Sequence, residues 1–134
     1  MREIKFRVWD NIAKKYIDSR YVSISGLGLL HVAKRIIKNC FRPPHTRKNP
    51  WFIVEQYTGL RDKNGTEIYD GDIVKSYNGS DAEKRGYYKL AIIKWDDFYT
   101  GFKPMNKDEP GNFHQELCEV VGNIHENPEL LEEK

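Results

Sequence analysis

The stretch QYTGLRDKNGTEIYDGDIVK, residues 56–75, packs two glycine-centred turn signals and a β-branched run into twenty positions. Asn64-Gly65 tolerates the two positive φ angles of a type I′ hairpin turn, and both flanks, QYTGL and TEIY, have strand composition. A hairpin is the expectation. Asp70-Gly71 repeats the signal, and the chain then enters DIVKSY, where Ile73 and Val74 suit a buried strand. The segment therefore spells strand, turn, strand, turn, strand. Its acidic residues Asp62, Asp70 and Asp72 sit beside glycine in turn positions, where a carboxylate serves the backbone through an Asx hydrogen bond. We read them as turn chemistry, not as a catalytic carboxylate set.

Towards the N-terminus, EIKFRVWD alternates Ile4, Phe6 and Val8 against Lys5, Arg7 and Trp9, the period of a half-buried strand. YIDSRYVSI resumes extended structure after a turn, so the first 25 residues read as an antiparallel hairpin. In GLLHVAKRIIKN the period changes. Leu29, Ala33, Ile36, Ile37 and Cys40 fall at helical spacing opposite His31, Lys34, Arg35 and Lys38, which predicts an amphipathic helix with SGLGLL as its entry. CFRPPHTRKNP then forbids helix and places a boundary near residue 50.

Beyond that boundary WFIVEQY, DIVKSY, GYYKLAIIKWDD, FYTGFKPM and ELCEVVGNIHE read as short strands with brief connections, the spacing of a closed or nearly closed small barrel. Asn127, Pro128 and Glu129 supply cap, first position and dipole partner for a short terminal helix in NPELLEE. The fold class expected is α+β, predominantly β: an N-terminal hairpin-plus-helix portion with a basic linker over residues 1–50, then a barrel with a terminal helical turn over 51–134.

The composition agrees with an ordered, β-leaning domain: 134 residues, 39% hydrophobic, 31% charged and 13% aromatic, enough to bury a core and too apolar for disorder. The opening MREIKFRVWD carries charge too often for a signal peptide, and no window approaches the apolar run of a membrane span, so a soluble protein not exported by a classical signal is expected. Net charge is +2, but residues 1–50 hold 12 Lys and Arg against 3 Asp and Glu, and residues 51–134 hold 10 against 17. A +9 half joined to a −7 half suggests a basic surface for a polyanion, or complementary surfaces that meet within or between chains. Cys40 and Cys118, far apart and without metal-ligand spacing to His45 or His114, read as two buried thiols.

Three stretches, REIKFRVWD, QYTGLRDKNGTEIYDGDIV and EVVGNIHENPELLE, together resemble the YopX-like family of phage and prophage proteins. The resemblance spans both ends and the middle. It implies an N-terminal α/β portion, a C-terminal barrel of SH3-like type, phage origin and the bacterial cytoplasm. It implies no activity and supplies no catalytic residues.

The residues themselves name no reaction. Asp96 and Asp97 follow one another on a strand and point to opposite faces, and no GxSxG, HExxH or phosphate-binding glycine loop is present. No catalytic residue, metal or cofactor is expected. The leading expectation is a non-enzymatic protein binding a protein partner, or a second copy of itself, through the surplus aromatics Tyr87, Tyr88, Trp95, Phe98, Tyr99 and Phe102. The alternative is a nucleic-acid-binding module in which Lys34, Arg35, Lys38, Arg42, Arg47 and Lys48, interleaved with Phe41 and Trp51, track a phosphate backbone. An uncharacterised enzyme is the third reading, since fold never excludes a site.

Overall fold

The computed structural model describes residues 3–33, 36, 42–76, 89–96, 101–105 and 118–131. Its strands are β1 (Phe6–Asp10), β2 (Lys15–Tyr16), β3 (Val22–Ile24), β4 (Leu30–Val32), β5 (Phe52–Arg61), β6 (Glu67–Tyr69), β7 (Asp72–Ser76), β8 (Lys89–Asp96), β9 (Gly101–Met105) and β10 (Cys118–Asn123). The chain divides into two compact units: Lys5–Glu55, and Gln56–Lys134 with Met1–Ile4. Strand β5 runs through the division. Among the described residues no helix is long and apolar enough to cross a membrane.

In the Lys5–Glu55 unit, β1 buries Val8 and Trp9. It pairs antiparallel with β2, Trp9 opposite Tyr16, and their rings meet edge to face at 5.0 Å. The strand pattern seen in EIKFRVWD starts late: Ile4 is exposed and Phe6 is more than a third exposed. After β2 the chain makes a single 3-10 turn, Ser19–Tyr21, capped by Asp18, whose carboxylate accepts the Arg20 N–H at 2.9 Å. Hydrogen bonds from the Arg20 side chain, then from its N–H, hold the exposed Asp18 carboxyl down to about 2. A second hairpin follows, β3 with β4, in the register Val22 to Val32, Ser23 to His31 and Ile24 to Leu30.

That hairpin overturns the expected helix. Leu30 and Val32 flank an exposed His31 with the period of a strand, and Gly28, at φ +79°, reverses the chain ahead of them. SGLGLL is a turn between strands, not a helix entry. Beyond Ala33 only Ile36 of the expected helix is described, in a helical turn with its N–H donating to the Ala33 carbonyl at 2.9 Å, and residues 34, 35 and 37–40 lie outside the described residues.

The Gln56–Lys134 unit begins with the stretch QYTGLRDKNGTEIYDGDIVK. The second half of β5 pairs with β6, Tyr57 opposite Tyr69 and Arg61 opposite Glu67, with an irregularity between them where Gly59 takes φ +88°. Strands β10, β7, β8 and β9 form an antiparallel sheet in that order. Ile68, Val74, Ala91, Ile93 and Cys118 make its core, with Phe102 and Val120 packed against it. The expected terminal helix is only the 3-10 turn Pro128–Leu131. Pro128 opens it as expected, with the Asn127 carbonyl accepting the Leu130 N–H at 3.1 Å, while the Asn127 side-chain Oδ1 accepts the Asn123 N–H at 3.3 Å. In place of an α+β head and an SH3-like barrel, the described residues build a β-rich fold of curled sheets without a helix of seven or more residues.

The Asn64-Gly65 hairpin forms, but with a different turn. Only Gly65 has a positive φ, +85°, which excludes type I′. The Gly65 N–H donates to the Asp62 carbonyl at 3.0 Å and the Asp62 N–H to the Thr66 carbonyl at 2.8 Å, while Asp62 Oδ1 accepts the N–H groups of Asn64 and Thr66 at 2.8 and 2.9 Å. The Asp62 carboxylate thus holds Asn64 at negative φ and leaves one left-handed position to glycine. Gly65→Val puts a β-branched residue there and should lower stability by about 1 kcal/mol or more, read by urea denaturation; unchanged stability would refute the turn.

Candidate functional site

Asp10 ends β1 as a buried hub. Its Oδ1 accepts the N–H groups of Ile12 and Ala13, both at 3.0 Å, fixing the turn to β2. The same carboxylate takes a two-pronged bond from Arg42, Nη1 to Oδ1 at 3.1 Å and Nη2 to Oδ2 at 2.7 Å. The two side chains are 1% and 3% exposed. Burial pushes the Asp10 carboxyl up, yet the Arg42 hydrogen bonds, those from Ala13 and Ile12, and the Arg42 charge outweigh it and hold the group below its ordinary 3.8.

Arg42 also stacks its guanidinium 5.0 Å from the Phe52 ring and 5.8 Å from that of Trp51. It opens a loop closed by Trp51. The Trp51 indole N–H donates to the Pro43 carbonyl at 2.6 Å, and its backbone N–H donates to His45 Nδ1 at 3.1 Å. Thr46 and Asn49 exchange backbone hydrogen bonds at the tip, at 3.2 and 3.3 Å, and Thr46 Oγ1 accepts the Asn49 N–H at 2.9 Å. Asn11 ties this loop to the β1–β2 turn: its N–H donates to the Trp51 carbonyl at 2.8 Å and its side-chain amide to the Pro50 carbonyl at 3.1 Å.

A second buried carboxylate, Glu55, accepts Arg7 Nε at 2.9 Å and the Tyr16 hydroxyl at 2.8 Å, with the Arg7 guanidinium 4.7 Å from the Tyr16 ring. These groups brace β1, β2 and β5. In the other unit Asp62, Asp72 and Asn123 likewise bond backbone N–H groups, Asn123 Oδ1 accepting those of His125 and Glu126 at 3.0 and 2.9 Å. The carboxylates and amide of Asp10, Glu55, Asp62, Asp72 and Asn123 are thus committed to holding the fold.

The β3–β4 hairpin is built the other way round. Its turn repeats the geometry of Asp62–Thr66: the Gly28 N–H donates to the Ser25 carbonyl at 2.9 Å, the Ser25 N–H to the Leu29 carbonyl at 3.0 Å, and Ser25 Oγ accepts the Leu29 N–H at 3.2 Å. The tip lifts apolar side chains into solvent, Leu27 at 88% and Leu29 at 58% exposed. From Val22 to Val32 the hairpin carries no Asp, Glu, Lys or Arg. A shallow open groove of about 300 Å³ runs at its base between Arg20, Tyr21, Ser23 and His31.

The residues singled out in the sequence meet different fates. Of the six cations, Arg42 is buried against Asp10, Arg47 and Lys48 are exposed on the loop that Arg42 opens, and Lys34, Arg35 and Lys38 lie outside the described residues. Of the six aromatics, Trp95 and Phe102 are cross-strand neighbours in edge-to-face contact at 5.2 Å, with Trp95 about half exposed and Phe102 turned to the core. Tyr87, Tyr88, Phe98 and Tyr99 lie outside the described residues, as does Cys40. Cys118 is a buried thiol outside any disulfide, pushed up to about 11 by burial and then by the Asp62 charge. Sequence reading passed over Leu27 and set Leu29 on a helix, although the Ser25-x-x-Gly28 spacing that Asp62-x-x-Gly65 repeats marked their turn.

No curated protein matches the chain. Among solved structures it is similar to protein EF1440 from Enterococcus faecalis, at 26% identity and a TM-score of 0.59, over 98% of this chain and 100% of that one. It is similar also to protein yopX from Bacillus subtilis, at 25% identity and a TM-score of 0.58, over the same shares of the two chains. The family profile described as YopX protein matches residues 5–132, so the chain belongs to the YopX family.

Proposed function

We propose that the protein is a non-enzymatic phage accessory protein that docks a protein partner in the bacterial cytoplasm. The observation that carries this reading is the uncharged β3–β4 hairpin with Leu27 and Leu29 at its tip. Exposed leucines placed singly are ordinary, but two on one ordered turn, without a flanking charge, form a prong suited to an apolar pocket. The phage and cytoplasmic parts of the proposal are supported by the family resemblance. The non-enzymatic part is supported by the buried Asp10, Glu55, Thr58, Asp62, Asp72 and Asn123, each of which serves the backbone or an internal ion pair.

The test is capture from nuclease-treated bacterial lysate, with the wild type beside Leu27→Ser/Leu29→Ser. A protein should co-purify in stoichiometric amount with the wild type, and the double variant should lose it at an unchanged melting temperature. An apolar anchor of this kind is worth about 2 kcal/mol or more, roughly thirtyfold in affinity. Equal capture by both forms would refute the hairpin as the docking element.

A further inference from the structure

We propose that the Lys5–Glu55 unit carries a second binding surface, a cationic face for the phosphodiester backbone of a nucleic acid, formed by Lys14 and Lys15 of the β1–β2 turn with Arg47 and Lys48 of the 42–51 loop. The proposal shares no residue with the leucine hairpin and does not depend on it.

The two segments are far apart in sequence and are brought to one end of the unit by the Asp10–Arg42 pair and by the bonds from Asn11 to Pro50 and Trp51. Lys14 extends from the same Asn11, its Nζ donating to Oδ1 at 3.0 Å. All four cations are exposed, and none forms an ion pair among the described residues. The charge around them is one-sided. The unit holds eleven Lys and Arg against three Asp and Glu, a net of +8. Each of those three acids, Asp10, Asp18 and Glu55, is already paired with an arginine, Arg42, Arg20 or Arg7. The unit's acids are therefore engaged away from Lys14, Lys15, Arg47 and Lys48.

The loop that presents Arg47 and Lys48 is ordered before any ligand arrives. Arg42, Trp51, His45 and the Thr46–Asn49 turn fix both its ends and its tip. A buried ion pair is costly to assemble, and here it anchors a polar surface loop. The consequence of such an anchor is a cationic tip that loses little freedom on binding.

The chemistry of the face favours phosphate over an acidic protein. Beside the cations the exposed side chains are the hydrogen-bonding His45, Thr46 and Asn49 with the small Ala13 and Pro44, and among the described residues there is no large apolar anchor of the kind a protein interface centres on. A charged, wet and non-apolar contact is the normal form of a backbone-tracking nucleic-acid interface.

The test is fluorescence anisotropy with a mixed-sequence DNA duplex, a single-stranded RNA and poly-L-glutamate, between about 50 and 200 mM salt. The wild type should bind a nucleic acid with Kd of about 10 μM or tighter at the lower salt. Lys14→Gln/Lys15→Gln/Arg47→Gln/Lys48→Gln should weaken this at least tenfold and flatten the log–log salt slope by about 3, near 0.9 for each duplex phosphate no longer neutralised and about 0.7 for each in a single strand. Should that variant fold poorly, Lys14→Gln and Arg47→Gln alone should each flatten the slope by the share of one phosphate. Leu27→Ser/Leu29→Ser should bind nucleic acid as the wild type does, whatever becomes of protein capture. An unchanged slope in the charge variants, or absent nucleic-acid binding at the lower salt, would overturn the proposal. Poly-L-glutamate binding as tightly as duplex or RNA would overturn the phosphate assignment in favour of an acidic protein.

Discussion

Asp10→Ala should lower stability by about 3–5 kcal/mol, because it strands the Arg42 guanidinium, 3% exposed, without its counter-charge. It also removes the acceptor for the Ile12 and Ala13 N–H groups. Arg42→Ala should cost less, since those two N–H groups still solvate the carboxylate that remains. Asp10→Asn separates the two contributions: its amide oxygen can keep the turn while the charge is gone. The pH dependence has a definite sign. The folded carboxyl lies below its ordinary 3.8, so its stabilisation is complete at neutral pH and above that value, and is lost as the pH falls through the lower folded value. In Arg42→Ala the raising effect of burial is less opposed, and the acid limb of the stability curve should move to higher pH. Urea titrations of the variants across the acid range measure both effects. A cost for Asp10→Ala within about 0.5 kcal/mol, as for an ordinary surface substitution, would show that the hub does not hold the unit together.

Most of the strand framework was legible because period-two alternation and glycine punctuation are local signals. DIVK became β7, KLAIIKWD became β8, and the two glycine turns at Gly65 and Gly71 are where the dipeptides placed them. What failed was arbitration between periods. Leu29 and Ala33 match a helix, but Leu30 and Val32 match a strand equally well, and the cross-strand partners Val22 and Ile24 decided for the strand over Leu30–Val32. That outcome rests on pairing at a distance, which a window of sequence cannot weigh.

The candidate surfaces were less legible still, for a related reason. Arg42 looks in sequence like its neighbours Arg47 and Lys48, yet it is buried and they are exposed. The difference is its partner thirty-two positions away at the end of β1. Lys14 and Lys15 drew no notice, because only the folded chain brings their turn beside the 42–51 loop. Charge counting found the basic half correctly; it could not say which cations are structural.

The other large effect expected is at Asp62, in the stretch from which the fold was read. Its two oxygens accept three backbone N–H groups: Oδ1 takes Asn64 and Thr66, and Oδ2 takes Val120 of β10 at 2.8 Å. One carboxylate thus shapes the β5–β6 turn and ties it to a strand 58 positions on. Hydrogen bonds to a charged acceptor are worth about 1.5–3 kcal/mol each, and a buried N–H left without one bears its full desolvation cost. The three bonds are not additive, since the turn can relax once the first is gone. Asp62→Ala should therefore cost about 3 kcal/mol or more, well above the penalty at Gly65. Asp62→Asn should fall between the two: its oxygen can still serve Asn64 and Thr66, but its amide nitrogen then faces the Val120 N–H, donor against donor. Backbone amide exchange gives the sharper reading. In Asp62→Asn the Val120 amide should lose protection while Asn64 and Thr66 keep theirs, and in Asp62→Ala all three should exchange faster. Retained protection at Val120 in both variants would mean that the strand is held by its β7 partners alone, and the carboxylate would be only a turn former.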